Sequence, residues 1–264
     1  MLRFALPFFP EPAVALAPII MTLAVVGIVY GSMMAIAQVG FKDGDWKKMV
    51  AYSSVAHMGF IVMGVFSFNE LATQGALMQS INHGLATGLL FLLIGVVYER
   101  RHTRLFKEYG GLAKQTPKFA VLFMIATLAS VGLPGTNGFI GEFLILTGTF
   151  GANGSEVWTW SYNSTLAVVA ASGVILGAVY MLWSYQKVFF GKITVKSNQN
   201  LKDINRVELT FVMPIVALIF ILGFAPNLFL HRTEATVEQG LNQTVDAAKA
   251  IKEKQLERAE LARN

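Results

Sequence analysis

Three ionisable side chains fall inside long apolar runs: His57, His83 and Glu142. A charged residue at the centre of a bilayer costs on the order of 2.5 to 3.5 kcal/mol on insertion scales, so such residues face a bundle interior and mark paths for ions or protons. Ser53 and Ser54 precede His57 by one helical turn, and Gln79 and Thr87 flank His83 by one turn on either side, which puts each imidazole on a polar stripe able to hold water. Imidazole titrates near neutral pH and can pass a proton between its two nitrogens. Glu142 follows a run of helix breakers, Gly132-Leu133-Pro134-Gly135-Thr136-Asn137-Gly138, and is expected in the first turn of a half-helix beginning near Phe139. There the helix dipole favours the carboxylate while burial favours the neutral acid, opposed pulls that suit a group gaining and losing a proton. The competing readings are bland: a carboxyl paired with a basic residue, and histidines merely hydrogen-bonded between helices. Against the first, the only Lys or Arg within the apolar runs is Lys187, near one end of its run.

Other chemistries are poorly served. With zero cysteines the chain offers no disulfide, no thiolate nucleophile and no cysteine-ligated iron-sulfur cluster. The remaining histidines, His102 and His231, lie in a basic loop and a tail, and the four histidines include no short-spaced pair, which argues against a metal site. No Gly-x-Gly pair occurs, so dinucleotide and Walker-type phosphate loops are absent. The net charge of +5 comes from short segments between apolar runs, a pattern that sets membrane topology rather than one that binds nucleic acid.

These residues need elements to hold them, and the composition names lipid as the solvent. Of the 264 residues 54% are hydrophobic and 14% charged, against about 25% charged in soluble domains. Since about 20 apolar residues cross a bilayer core, six spans are expected, all helical: 13 to 38, 49 to 68, 72 to 98, 119 to 150, 164 to 189 and 210 to 230. Basic residues follow the first, third and fifth: Lys42, Lys47 and Lys48; then Arg100, Arg101, Arg104, Lys107, Lys114 and Lys118; then Lys192, Lys196, Lys202 and Arg206. The loops around Asn69-Glu70 and from Gly151 to Tyr162 carry neither Lys nor Arg. This alternation puts the basic loops in the cytoplasm and both termini opposite. Lys187, Lys192 and Arg206 are expected to snorkel to the interface, and Gly173 with Gly177 forms a small-xxx-small pair for close helix packing.

The fourth span cannot be one straight helix, because its 32 residues would measure about 48 Å against a core of about 30 Å. The run from Gly132 to Gly138 marks the break. Unwound backbone at that depth needs protein or a water cavity to satisfy it, and ion transporters build sites from such discontinuous helices. A plain kink without chemistry is the alternative. The tail 231–264, with six basic and six acidic residues at helical spacing, reads as a solvated or surface-lying amphipathic helix. Residues 1–12, with one Arg and three prolines, are too broken for the core of a signal peptide.

The segment from Lys47 through Ala51-Tyr52-Ser53-Ser54-Val55-Ala56-His57-Met58-Gly59 to Phe60 resembles the antiporter-like subunits of NADH-quinone oxidoreductase, respiratory complex I. The resemblance continues through Leu2-Arg3-Phe4, His83-Gly84, Tyr98-Glu99-Arg100, His102-Thr103-Arg104, Gly110-Gly111-Leu112 and Gly132 to Phe143, so it spans residues 2 to about 230. A Glu at position 142 points to the subunit M, or chain 4, branch; related subunits and multisubunit cation antiporters usually carry Lys there. That branch is about twice as long and contains two inverted repeats, of which this chain resembles the second. Lys42-Asp43-Gly44-Asp45 stands as an insertion in a loop the family keeps shorter.

The resemblance implies an all-α integral membrane fold of about six helices, one discontinuous. Its domain plan is a helix end and loop at 1–12, a transmembrane repeat at 13–190 with the broken helix 119–150, a loop and final span at 191–230, and the tail. It further implies a multi-pass protein of the cell inner membrane, part of a translocating NADH:quinone oxidoreductase but with no redox centre on this chain. NADH, flavin, iron-sulfur clusters and quinone are expected in partner subunits. The expected partners are other membrane-arm subunits, including a separate chain supplying the first repeat, and membrane lipid, with no nucleic acid. Quinone reduction elsewhere would drive protons along buried acids, lysines, histidines and water. In that scheme Glu142 is the terminal carboxyl that releases the proton, His57 and His83 line the path to it, and Thr136 and Asn137 hydrate the break. Two alternatives remain open at this point: a subunit of a multisubunit Na+/H+ antiporter or membrane-bound hydrogenase, and a non-transporting scaffold.

Overall fold

The computed structural model describes residues 1–152, 160–193 and 195–261, so part of the loop expected from Gly151 to Tyr162 lies outside the described residues. Ten α-helices follow in order: α1 Ala5–Phe8, α2 Pro10–Gly40, α3 Trp46–Phe66, α4 Glu70–Arg101, α5 Leu112–Gln115, α6 Pro117–Val131, α7 Asn137–Phe150, α8 Trp160–Phe189, α9 Arg206–Phe224 and α10 Asn227–Leu261. Five of them, α2, α3, α4, α8 and α9, are long and apolar enough to cross a membrane, and α6 is a shorter apolar helix. Helices α6 and α7 together make the fourth crossing in chain order, the broken one, which brings the crossings among the described residues to six. Bilayer length explains the pairing: 15 and 14 residues reach about 22 and 21 Å, so neither half spans about 30 Å alone.

Local chemistry sets the helix ends. Asp45 accepts from the Lys48 N–H at 3.0 Å, Asn69 from Ala72 at 3.1 Å and Asn205 from Glu208 at 2.9 Å, each side chain satisfying a free amide at a helix start. Helix α6 begins with Pro117 and has no capping side chain of its own. Asp203, 85 residues on, supplies the cap by accepting from the amides of Lys118 at 2.9 Å and Phe119 at 3.0 Å. The sixth span departs from the expected 210–230. It stops at Phe224 because Pro226 disfavours helix at Ala225, and the chain restarts as α10 at Asn227.

The loops after α2, α4 and α8 meet at one end of the bundle, as their shared basic character leads one to expect. Arg100 donates to Glu208 at 2.7 Å, Asn198 to the Glu108 carbonyl at 2.9 Å and the Gly111 amide to Phe190 at 3.0 Å. The 42–45 segment, without a role in the sequence, clasps the loop after α4. The Trp46 amide donates to Arg104 at 2.9 Å, the Phe106 amide donates to Gly44 at 3.0 Å, Arg104 lies 3.4 Å from Asp45, and Lys107 pairs with Asp43. That last hydrogen bond holds the Lys107 ammonium above its ordinary range. Lys187 does not snorkel outward. It donates to the Val39 carbonyl at 2.6 Å, capping the end of α2, and stands 5.5 Å from the Phe106 ring centre.

Beneath these loops an aromatic plug closes the bundle. Trp46 sits with ring centroids 4.8 Å from Phe123, 5.7 Å from Tyr109, 6.1 Å from Phe189 and 6.3 Å from Phe106, and the Phe and Trp members are fully buried. Burial, the largest influence, pushes the Tyr109 hydroxyl up to about 12, so it stays neutral and donates to the Thr103 carbonyl at 2.6 Å. At the opposite end, α10 buries a stripe of Val237, Leu241, Thr244 and Ala248 and packs across α1, α2 and α4. The 3- and 4-residue spacing of that stripe is helical, and the polar residues between its members, Glu238, Gln239, Asn242 and Gln243, are exposed.

Candidate functional site

The break between α6 and α7 organises the interior. Gly132 ends α6 in the left-handed region at φ 79°, which costs a glycine nothing, and the Leu133 amide turns back to the Leu128 carbonyl at 3.0 Å. Gly135 takes a second left-handed conformation at φ 92°, and the Thr136 hydroxyl donates to the Leu133 carbonyl at 2.7 Å. Helix α9 seals this turn. A Cβ at Gly223 would lie 2.5 Å from the Gly135 carbonyl oxygen, and the Phe224 ring covers Gly135 itself.

Helix α7 starts at Asn137, two residues before the expected Phe139, so Glu142 lies in the second turn rather than the first. Its dipole therefore weakens at the carboxyl, since the effect fades beyond the first turn. Side chains take over. His57 Nδ1, from α3, is 2.9 Å from Glu142 Oε1, and Gln79 Nε2, from α4, donates to the same oxygen at 3.0 Å. Glu142 is 5% exposed and His57 6%. With Glu142 ionised, the His57 Nδ1–H is the donor; with the acid protonated, the imidazole accepts. On its other side, His57 Nε2 stands 3.5 Å from the Ser130 hydroxyl at the end of α6.

His83 is the next station. Its ring centre is 5.2 Å from that of His57, and its Nδ1 is 3.0 Å from the Thr87 hydroxyl one turn along α4. Both rings line a small cavity of about 10 Å³, together with Asn82, Thr87, Ser130 and Gly138, among others. That is at the threshold for one water. The cavity is polar, and buried polar atoms without protein partners occur at and near it: Gln79 Oε1 and Asn82 Oδ1 of its lining, and both side-chain atoms of Asn137, whose carbonyl Asn82 contacts. Of these, Gln79 and Asn82 line the cavity, and such groups are normally satisfied by water when no protein atom reaches them.

The structure thus brings His57, His83 and Glu142 to one place, 85 residues separating His57 from Glu142. Asn137 joins them: it is 0% exposed, and its backbone carbonyl accepts from Asn82 Nδ2 at 2.6 Å. Thr136 does not, because its hydroxyl is spent closing the turn. Gln79 is the residue that sequence reasoning noted only as part of a stripe and that proves to touch the carboxyl. Tyr180, which the sequence did not single out, is buried on α8 beside Ser53 and within electrostatic reach of Glu142. Among the described residues no group of three or more His, Cys, Asp or Glu side chains converges to hold a metal ion. Four helices therefore place an acid, two imidazoles and room for water in series, an arrangement that can pass protons.

The chain is similar to known proteins. A family model described as NADH:quinone oxidoreductase/Mrp antiporter, transmembrane, matches residues 1–170. NADH-quinone oxidoreductase subunit M of Rhodobacter capsulatus is 45% identical over 227 residues, covering 86% of this chain and 41% of that protein. NADH-ubiquinone oxidoreductase chain 4 of Marchantia polymorpha is 41% identical over 236 residues, covering 89% of this chain and 45% of that one. In the structure of respiratory complex I from Thermus thermophilus with bound NADH, one chain matches with a TM-score of 0.81 at 34% identity, over 92% of this chain and 48% of that chain. A chain of the Mrp complex from Dietzia sp. shares the fold, with a TM-score of 0.68 at 17% identity, over 90% of this chain and 50% of that chain. The chain spans less than half the length of these curated relatives.

Proposed function

The chain belongs to the NADH:quinone oxidoreductase/Mrp antiporter transmembrane family, and from that premise we propose that it forms the exit half of a proton channel in the membrane arm of an NADH-quinone oxidoreductase. The observation that carries this reading is the buried His57–Glu142 contact at the helix break. A proton reaching His57 Nε2 through the hydrated cavity makes the ring cationic, and Nδ1–H then serves Glu142. Oxygen Oε1, which both His57 and Gln79 contact, receives that proton from Nδ1, leaving His57 neutral with the incoming proton on Nε2. Rotation of the carboxyl then carries the proton to the Oε2 position, facing the Gly132 backbone, where water takes it up. In this reading NADH, flavin, iron-sulfur clusters and quinone belong to partner subunits. A Glu at position 142 favours this complex over a cation antiporter.

His57→Gln tests the relay. It keeps a hydrogen-bonding side chain but cannot carry a proton, and we expect translocation to fall roughly ten-fold. That is less than the 10²-fold typical of a positioned acid or base, because water in the cavity carries part of the flow around the missing ring. Dye-monitored acidification of inverted vesicles at matched subunit content reads the effect; an unchanged rate would remove His57 from the path.

The same reading puts the three clustered basic loops in the cytoplasm. A cysteine introduced at exposed Lys114 is expected to react with an impermeant maleimide in inverted vesicles and to be protected in intact cells. Labelling from outside intact cells would reverse the orientation.

A further inference from the structure

At the basic end, apart from the buried site, a cleft of about 490 Å³ opens against α3 and α4, lined by Lys47, Phe91, Ile94, Gly95, Tyr98 and Arg104. Its floor is one face of α4, since positions 91, 94, 95 and 98 follow the helical repeat. At Gly95 a Cβ would meet nothing within 4 Å, so the floor is bare backbone there and the groove deepens. The rim is cationic. Lys47 is exposed on the first turn of α3 and has no ion-pair partner among the described residues. Arg104 holds its guanidinium carbon 5.8 Å from the Tyr98 ring centre, with Nε 3.4 Å from Asp45. Asp45 is itself committed to the start of α3 through the Lys48 amide, so the cleft keeps a surplus of positive charge.

Two chemistries meet here that a single soluble anion cannot use together. The cationic rim suits phosphate, which guanidinium and ammonium groups bind readily. The apolar floor runs from Tyr98 to Phe91, about 10 Å along the helix axis towards the membrane interior. We propose that this cleft binds an anionic phospholipid, its phosphate between Lys47 and Arg104 and one acyl chain along Phe91, Ile94 and Gly95. Basic pockets at the ends of membrane helices recognise such headgroups, and the cleft opens at the end where the basic loops gather. The site is separate from the His57–Glu142 centre, so it stands or falls independently of proton translocation.

Native mass spectrometry of the full chain in mild detergent, titrated with palmitoyl-oleoyl phosphatidylglycerol or phosphatidylcholine, tests it. One phosphatidylglycerol per chain is expected to survive detergent removal in the gas phase, while phosphatidylcholine is lost. Lys47→Gln and Arg104→Gln are each expected to weaken phosphatidylglycerol binding about five-fold, the share of one basic residue near a membrane surface. Lys196→Gln, exposed in another basic loop, should change it less than two-fold. Gly95→Leu fills the floor without altering charge and should cause a loss as large as Lys47→Gln. Should Arg104→Gln disturb folding through Asp45, the test is carried by Lys47, whose exposed side chain has no ion-pair partner among the described residues, and by Gly95, on α4. Equal retention of the two lipids, an equal effect of Lys196→Gln, or unchanged binding in Gly95→Leu would overturn the proposal. So would a helix of another subunit found in the cleft of the assembled complex.

Discussion

Replacing Glu142 with Gln leaves the subunit assembled and removes nearly all of its proton translocation. Gln keeps the length of the side chain, and its carbonyl oxygen still accepts from His57 Nδ1–H and Gln79 Nε2, the two donors that hold Oε1 at 2.9 and 3.0 Å. Because Gln offers the same acceptor to both donors, no buried donor is left without a partner, and packing is preserved. What disappears is the exchangeable proton. A positioned proton-transfer group contributes about 10²-fold or more, so the rate falls roughly 100-fold while subunit content on a native gel does not change. Glu142→Asp keeps the acid but draws it back by about one methylene, roughly 1.5 Å, stretching the His57 contact, and retains part of the activity. Wild-type acidification by the Gln variant in inverted vesicles would remove Glu142 from the path and leave it a packed polar residue.

The ingredients of this site were legible in the sequence because the bilayer makes them conspicuous: an acid or imidazole amid twenty apolar residues needs a reason. The His83–Thr87 contact was also legible, since both lie one turn apart on α4. The His57–Glu142 pair was not. It joins α3 to α7 across 85 residues, and nothing in the spacing fixes how two membrane helices rotate against each other. Gln79 was hidden for the same reason: a stripe on one helix says that polar atoms share a face, not which carboxyl that face meets. Boundaries failed where the local signal was underweighted. Pro226 already marked the stop of α9, yet the apolar run continued past it to Leu230. Thr136 and Asn137 opened α7 two residues early, which moved Glu142 out of the first turn. The 42–45 segment acquires a role only through atoms of the loop after α4 that it grips.

Gly138→Ala is expected to remove the subunit from the membrane. A Cβ at this position would fall 2.0 Å from the carbonyl oxygen of Ala129 and 3.2 Å from its carbonyl carbon, both backbone atoms at the end of α6. Neither can rotate away, so α7 must swing off α6, opening the cavity and pulling Glu142 from His57. Over-packing a tight contact costs typically 1 to 3 kcal/mol, and a backbone clash at a helix joint belongs at about 3 kcal/mol or more. That is a large part of the margin of a membrane domain whose stability resembles the usual 5 to 15 kcal/mol. Gly88→Ala is the control. Its Cβ would meet nothing within 4 Å, and alanine improves helix propensity by about 1 kcal/mol. Subunit content by immunoblot and the midpoint of thermal aggregation should separate the two variants. Equal levels of both would mean that α6 and α7 are not joined as tightly as the 2.0 Å approach at Gly138 requires.

The aromatic plug around Trp46 also has an electrical consequence. Voltage across a membrane drops over whatever is dry, and the closely packed rings of Trp46, Phe106, Phe123 and Phe189 leave little space for water between the basic loops and His57. Moving one proton through the full field is worth about 2.3 kcal/mol per 100 mV. If the drop lies mainly across the plug, a proton leaving Glu142 towards the opposite face crosses only a small fraction of it. Release from this half would then depend weakly on membrane potential, and the work of pumping against the potential would be done before the proton reached His57. Thinning the insulator, for instance by Phe123→Ala, should shift that division and make the release step steepen with applied voltage.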